Sequence, residues 1–224
     1  MPGHHSPRTE TAMTRHSTTG VLLDLDGTLV DSVYHHVLAW DHALASHDHE
    51  VPLERIHRAI GLGSDRLLPW LLGGEPENAD AIAALHTERF LDMAERLRPT
   101  SGARALIEDL ERRGVGFVIA TSAGDDERAV LLSALGTDEV PTVGSDDVSS
   151  SKPSPDLLSA AADQLAGEPQ HLIMVGDSPW DARAVERAGI AAIGVRTGGF
   201  CAESLAGAGA SRVVDAPLDL VGTL

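Results

Sequence analysis

Asp24 and Asp26 stand two residues apart where an apolar run, Val21-Leu22-Leu23, breaks into Asp24-Leu25-Asp26-Gly27-Thr28. On an extended strand, positions two apart share one side, so the two carboxylates are predicted to meet near a strand end. Gly27 permits a sharp exit turn there. Carboxylates held that close repel unless a cation or a shared proton intervenes. A strand followed by an Asp-Gly turn is also a common pattern that needs no chemistry, and residues far downstream decide between the two. Thr121 and Ser122 follow a second apolar run and offer hydroxyls to an oxyanion. Lys152, in Ser151-Lys152-Pro153-Ser154-Pro155-Asp156, offers a point positive charge just before a helix. Asp177 ends a third run in Val175-Gly176-Asp177-Ser178, with Asp181 four residues on. Asp24 and Asp177, with a carbonyl, an anionic ligand and waters, would make an all-oxygen site suited to Mg2+. Each piece alone has a plain reading as cap, turn or solvated side chain. Together, each at a strand end or the helix after it, they point to one constellation.

The elements that must position these residues are legible in outline. Val21 to Leu25 reads as a first buried strand. From Ser32 to about Arg98 the apolar residues recur at helical spacing: Val33, Val37, Trp40, Leu44; then Ile56, Ile60; then Leu67, Leu68, Leu71; then Ile82, Leu85, Phe90. Glycine-rich breaks at Gly61-Leu62-Gly63 and Gly73-Gly74 separate those helices. From Pro99 helices and strands alternate. Helices are predicted near 103–113, 126–135, 154–166 and 180–188, and strands near 116–120, 141–144, 172–175, 191–195 and 213–214. That rhythm predicts an α/β class, a doubly wound, Rossmann-like parallel sheet with an inserted helical cap. In such sheets ligands bind at the carboxyl ends of the strands, where the constellation falls. The expected organisation is a disordered tail over 1–19, a core over 20–31 and 99–224, and a cap over 32–98.

Composition narrows the partners. Apolar residues make up 42% of the chain and the formal net charge is -17. A strongly acidic chain argues against nucleic acid and anionic membrane as partners. An anionic substrate is still feasible, since screening limits exposed charges to about 8 Å at physiological salt. Cys201 is the only cysteine, so no intrachain disulfide forms, which fits a reducing cytoplasm. No apolar run is long enough to span a bilayer. Oligomeric state, monomer or homodimer, is not written in these patterns.

On these residues the chain resembles the haloacid dehalogenase (HAD) superfamily, specifically its helical-cap (subclass I) phosphatases, the branch of phosphoglycolate phosphatase and β-phosphoglucomutase. The resemblance runs from Val21 to the C terminus. It implies that Asp24 is the nucleophile and Asp26 the general acid/base. It implies that Thr121, Ser122 and Lys152 hold the phosphoryl group, with Thr121 and Lys152 counted as catalytic. It further implies that Asp24, the Asp26 carbonyl and Asp177 bind Mg2+, with Asp181 supporting that shell. The function implied is Mg2+-dependent hydrolysis of a small phosphorylated metabolite through an aspartyl-phosphate. A β-phosphoglucomutase-type mutase would use the same residues, and the sequence does not separate the two. True dehalogenases and phosphonate-cleaving relatives lack the second aspartate; the latter use a cap lysine, and 32–98 contains none. A phospho-accepting signalling receiver is a more distant alternative, since there the phosphorylated Asp follows a middle strand.

Within the insert, Gly61-Leu62-Gly63-Ser64-Asp65-Arg66 is the candidate substrate loop, Gly61 and Gly63 permitting close approach and Arg66 gripping a polar or anionic group. A plain helix-helix loop with a solvated Arg66 accounts for it equally well. His35, His36, His42, His47 and His49 fit no standard zinc spacing and read as solvated. Trp40 and Trp70 read as core. Arg196-Thr197-Gly198-Gly199 follows a strand end and could border the site, a plain loop being the favoured reading, and Cys201 reads as structural or surface.

Overall fold

A computed structural model describes residues 19–137, 140–147, 155–165, 169–186 and 188–224. Six strands form one sheet in the order β3-β2-β1-β4-β5-β6. They are β1 (Thr19–Leu23), β2 (Gly116–Ala120), β3 (Thr142–Val143), β4 (His171–Gly176), β5 (Ala191–Val195) and β6 (Ala210–Val214). Every neighbouring pair is parallel. The order departs from β1 in both directions, so the switch point of the sheet lies at the carboxyl ends of β1, β2 and β4.

Side chains of the central strand alternate as a pleat requires. Val21, Leu23 and Leu25 enter one apolar cluster, with Leu106 and Leu110 of α5 (Ala103–Arg113) and Leu131 and Leu135 of α6 (Asp125–Leu135). Leu22 enters the opposite cluster, with Leu157 and Leu158 of α7 (Pro155–Asp163) and Ala182 and Val185 of α8 (Pro179–Glu186). The result is a three-layer α/β/α arrangement in which both faces of β1 are sealed from water. A short α9 (Ala202–Gly207), not foreseen from sequence, packs beside β6.

Between β1 and α5 the chain is helical among its described residues: α1 (Val33–Ala45), α2 (Leu53–Ala59), α3 (Ser64–Leu72) and α4 (Ala79–Leu91), then a single 3-10 turn at Ala94–Arg96. These helices share their own apolar cluster, including Val33, Val37, Trp40, Leu44, Ile56, Leu67, Leu68 and Ile82. The chain leaves and re-enters the sheet layer side by side. Val30 and Pro99 form an antiparallel bridge, the Asp31 N–H donates to the Arg98 carbonyl at 2.8 Å, and the Thr100 hydroxyl donates to the Thr28 carbonyl at 2.6 Å.

The expected first strand ends two residues early, at Leu23. Beyond it the Asp24 N–H still reaches the Val175 carbonyl at 2.9 Å, but Leu25 turns to accept the N–H groups of Leu29 and Val30. The apolar alternation continued through Leu25 because Leu25 is fully buried, in a turn rather than a strand. Other boundaries move by one to three residues, as frayed ends do.

Candidate active site

The loop after β1 delivers its two aspartates to different partners. Asp24 is buried beside Asp177, at the end of β4, and Asp181, on the first turn of α8; one carboxylate oxygen from each lies within 4.8 Å of the others. The Thr28 hydroxyl is within bonding distance of both Asp24 Oδ2 (3.1 Å) and Asp177 Oδ1 (3.2 Å). Asp181 Oδ2 accepts from the Ser178 N–H and hydroxyl, at 3.1 and 2.7 Å. Two glycines make room for the group. Gly27 sits at φ +72, where a side chain is strained, and a Cβ there would stand 2.4 Å from Asp177 Oδ2. A Cβ at Gly198 would stand 1.6 Å from the same oxygen. Three buried carboxylates this close are costly without a compensating cation. An all-oxygen donor set of this kind suits a hard divalent ion.

Asp26 faces the helical insert. Its Oδ1 accepts from the Ser32 hydroxyl at 2.6 Å and lies 2.9 Å from His36 Nε2, while Thr121 at the end of β2 donates to Oδ2 at 3.4 Å. Behind His36 a line of polar side chains continues. His36 Nδ1 lies 3.0 Å from His86 Nε2; His86 Nδ1 lies 3.3 Å from Glu127 Oε1; the Thr87 hydroxyl donates to that oxygen at 2.6 Å. The rings are held by stacking, His36 on Phe90 and His86 on Trp40, each with centroids 3.9 Å apart. Burial would lower His36, but the Asp26 carboxylate beside it reverses the sign and holds it above the ordinary imidazole value. Burial lowers His86, with the Glu127 bond opposing. Burial pushes Glu127 up, but the bonds from His86 and Thr87 more than reverse this and hold its carboxyl at about 2.

Both aspartates open onto a cavity of about 220 Å3 between sheet and insert. Its insert wall includes His36, Trp40, Ile60, Gly61, Leu62, Gly63, Ser64, Leu67, Ala83, His86 and Thr87; its core wall includes Ser122, Gly124, Glu127 and Asp146. Ser122 Oγ is buried there with no hydrogen-bond partner among the described residues. No arginine lines the cavity among the described residues. The insert is seated directly on the core. Gly61, at φ +101, leaves room for Ser178; Trp180 Nε1 donates to the Arg58 carbonyl at 2.9 Å; and His57 Nε2 lies 2.8 Å from the Gly198 carbonyl.

The structure therefore brings Asp24, Asp26, Thr121, Ser122, Asp177 and Asp181 together at one end of the sheet, with Gly61 and Gly63 across the cavity. Lys152 lies outside the described residues. Arg66 does not line the cavity: it is half exposed on α3, 3.6 Å from Asp65. His36 is a correction, buried rather than solvated, whereas His42 is exposed. The loop after β5 is another: Gly198 packs on Asp177 and the Thr197 hydroxyl donates to the Gly27 carbonyl at 2.5 Å. Trp40 is buried as expected and also walls the cavity, but Trp70 is partly exposed, against Trp180. Cys201 is exposed.

Sequence reasoning missed His86, Glu127, Thr28 and Ser32. A signal existed for three of the buried polar groups. His36 falls between Val33 and Trp40, His86 between Ile82 and Phe90, and Glu127 four residues before Leu131, each on the apolar stripe of its helix. A polar residue on such a stripe is the informative exception.

Comparisons with known proteins identify the family and the fold. The family model described as haloacid dehalogenase-like hydrolase matches residues 18–189. A phosphoglycolate phosphatase of Rhodospirillum rubrum is 32% identical over 209 residues, covering 87% of this chain and 86% of that protein. The crystal structure of a hydrolase from Pseudomonas syringae superposes with a TM-score of 0.87 at 37% identity, covering 90% of this chain and 95% of that one. CbbY from Rhodobacter sphaeroides, solved in complex with phosphate, superposes at 0.74 with 26% identity, covering 90% and 95%.

Proposed function

This chain belongs to the haloacid dehalogenase-like hydrolases and is a phosphatase of that family, and from that premise we propose that it hydrolyses small phosphate monoesters in two steps through an aspartyl-phosphate on Asp24, with Mg2+ bound. The observation that carries the reading is the buried cluster of Asp24, Asp177 and Asp181, whose Asp24 opens onto the same cavity as Asp26. Asp24, Asp177 and the Asp26 carbonyl would hold the ion, with Asp181 behind them. Bound there, Mg2+ supplies the positive charge that lets one anion approach another and neutralises charge on the transferring group.

The chain's own groups do the rest. Asp24 attacks phosphorus as the bond to the leaving oxygen breaks. Asp26 gives that oxygen its proton, then takes one from the water that cleaves the acyl-phosphate. Thr121, the unpartnered Ser122 hydroxyl and Lys152 hold the equatorial oxygens. Residues 32–98 act as a cap whose contacts through Gly61, His57 and Trp180 exclude bulk water. With no arginine among the described lining residues, the leaving group is read by shape against Trp40, Ile60, Leu62 and Leu67 and by Ser64.

The test is inorganic-phosphate release from a panel of phosphoglycolate, pentose and hexose phosphates and nucleoside monophosphates, with Mg2+. Asp24→Asn abolishes turnover and chelation does so reversibly. Full activity in either case overturns the mechanism, and isomerisation without phosphate release would assign a mutase.

A further inference from the structure

His36, His86, Thr87 and Glu127 form a continuous polar line behind Asp26, and phosphoryl transfer as described above uses none of its inner members. The line crosses the boundary between core and insert twice. Asp26 and Glu127 belong to the sheet-bearing core, on the β1 loop and α6; His36 and His86 belong to the insert, on α1 and α4. Its polarity follows from donor and acceptor inventory. With Thr87 donating to the Glu127 carboxylate, Glu127 is an acceptor, so His86 Nδ1 carries the hydrogen. A neutral His86 then accepts at Nε2, so His36 Nδ1 must donate. His36 is thereby held in one ring orientation, with Nε2 turned onto Asp26 Oδ1; with a hydrogen on each ring nitrogen it donates to His86 and to Asp26 at once. Oδ1 is occupied by His36 and Ser32, so Oδ2, which has only the 3.4 Å contact from Thr121 among the described residues, is left to exchange a proton with the leaving group.

We propose that Glu127 and His86 are positioning residues for the reaction: acting through His36, they fix which oxygen of Asp26 faces the leaving group. The proposal rests on the reading of Asp26 as general acid. Neither residue touches the reacting atoms in this role. An ion held by His36, His86 and Glu127 together is the competing use of the cluster. His86, however, turns opposite nitrogens to its two neighbours, and one ion could replace only one of those contacts.

Misplacing a catalytic group by about 1 Å can cost about 100-fold, and general acid catalysis is worth about 10²- to 10⁴-fold. The cost falls on substrates whose departing oxygen needs a proton. Kinetics of the full-length, Mg2+-loaded enzyme are therefore compared on glycerol phosphate, an alkyl ester, and p-nitrophenyl phosphate, whose phenolate leaves unaided. Glu127→Ala is expected to lower kcat/KM on the alkyl ester by about 10- to 100-fold, and at least about tenfold less on the aryl ester. Glu127→Gln keeps an acceptor for His86 Nδ1 and is expected to recover most of the alkyl-ester loss. His86→Phe keeps the stack on Trp40, removes both bonds and should show the same leaving-group bias even if Glu127→Ala fails to fold. The double variant should be no worse than the worse single one, as for residues in one line. Equal losses on both esters, or no loss with either variant, overturn the proposal. A wild-type enzyme inactive on every phosphate ester would instead overturn the phosphatase mechanism.

Discussion

Replacing Gly198 by alanine tests the site without altering any group that does chemistry. Gly198 ends the 3-10 turn after β5, is buried, and is absent from the glycines with positive φ, so its backbone accepts alanine. The new methyl would lie 1.6 Å from Asp177 Oδ2, 2.5 Å from its Cγ and 2.9 Å from its Cβ. Restoring van der Waals contact demands a shift of roughly 1.5 Å, since close-packed interiors transmit rather than absorb such overlap. Rotating Asp177 away breaks its approach to Asp24 and Thr28; holding it in place strains the turn. Overpacking of this sort costs about 1–3 kcal/mol, a fall in Tm of roughly 2–10 °C for a chain of this size. The catalytic loss should be larger, at least about 100-fold in kcat/KM by the positioning argument, with half-activating Mg2+ raised about tenfold, equivalent to 1.4 kcal/mol of lost binding. Gly207→Ala is the control: nothing lies within 4 Å of its Cβ position and its φ is ordinary, so stability should hold or rise by about 0.4–1 kcal/mol. Wild-type Mg2+ titration and turnover in Gly198→Ala would refute the role assigned to Asp177.

Glu127 should make stability depend on pH in acid. Its carboxyl is held at about 2 against an ordinary 4.5, so the stabilisation is fully present above the unfolded value and is lost as pH falls toward the folded one. The gap between wild type and Glu127→Gln in urea unfolding should therefore be flat from pH 7 to about 5, at most about 3 kcal/mol, and shrink below about 4.5; a constant gap down to pH 3 would contradict it. Arg66→Ala should leave kcat and KM within about twofold, as for other surface substitutions, because the side chain lies beside Asp65 and off the cavity; a large rise in KM would restore the sequence-based expectation. Gly61→Ala meets both φ +101 and Ser178 Oγ at 2.6 Å. It should destabilise by about 1–3 kcal/mol and raise KM as the insert lifts, read by thermal melting and steady-state kinetics; unchanged KM would separate that contact from substrate binding.

Asp24, Asp26, Thr121 and Asp177 were legible because each closely follows a short apolar run, with Asp181 on the helix after one, and in a parallel sheet the ends of such runs converge by topology alone. The alternation of runs with helical stripes likewise determined the α/β class and the helical stretch after β1, since burial on both faces leaves a pattern in the chain itself. What the sequence could not determine was which helix faces meet. His36 and His86 are 50 residues apart, and Glu127 a further 41; nothing local says that α1, α4 and α6 converge on Asp26. Arg66 failed as a guide for the same reason: a residue's place beside a glycine loop does not fix the direction of its side chain. Gly198 acquired its meaning only from the approach of Asp177, twenty-one residues earlier and one strand away. Periodicity records whether a side chain is buried; only packing decides against what, because long-range contacts are made between surfaces whose complementarity no single segment carries.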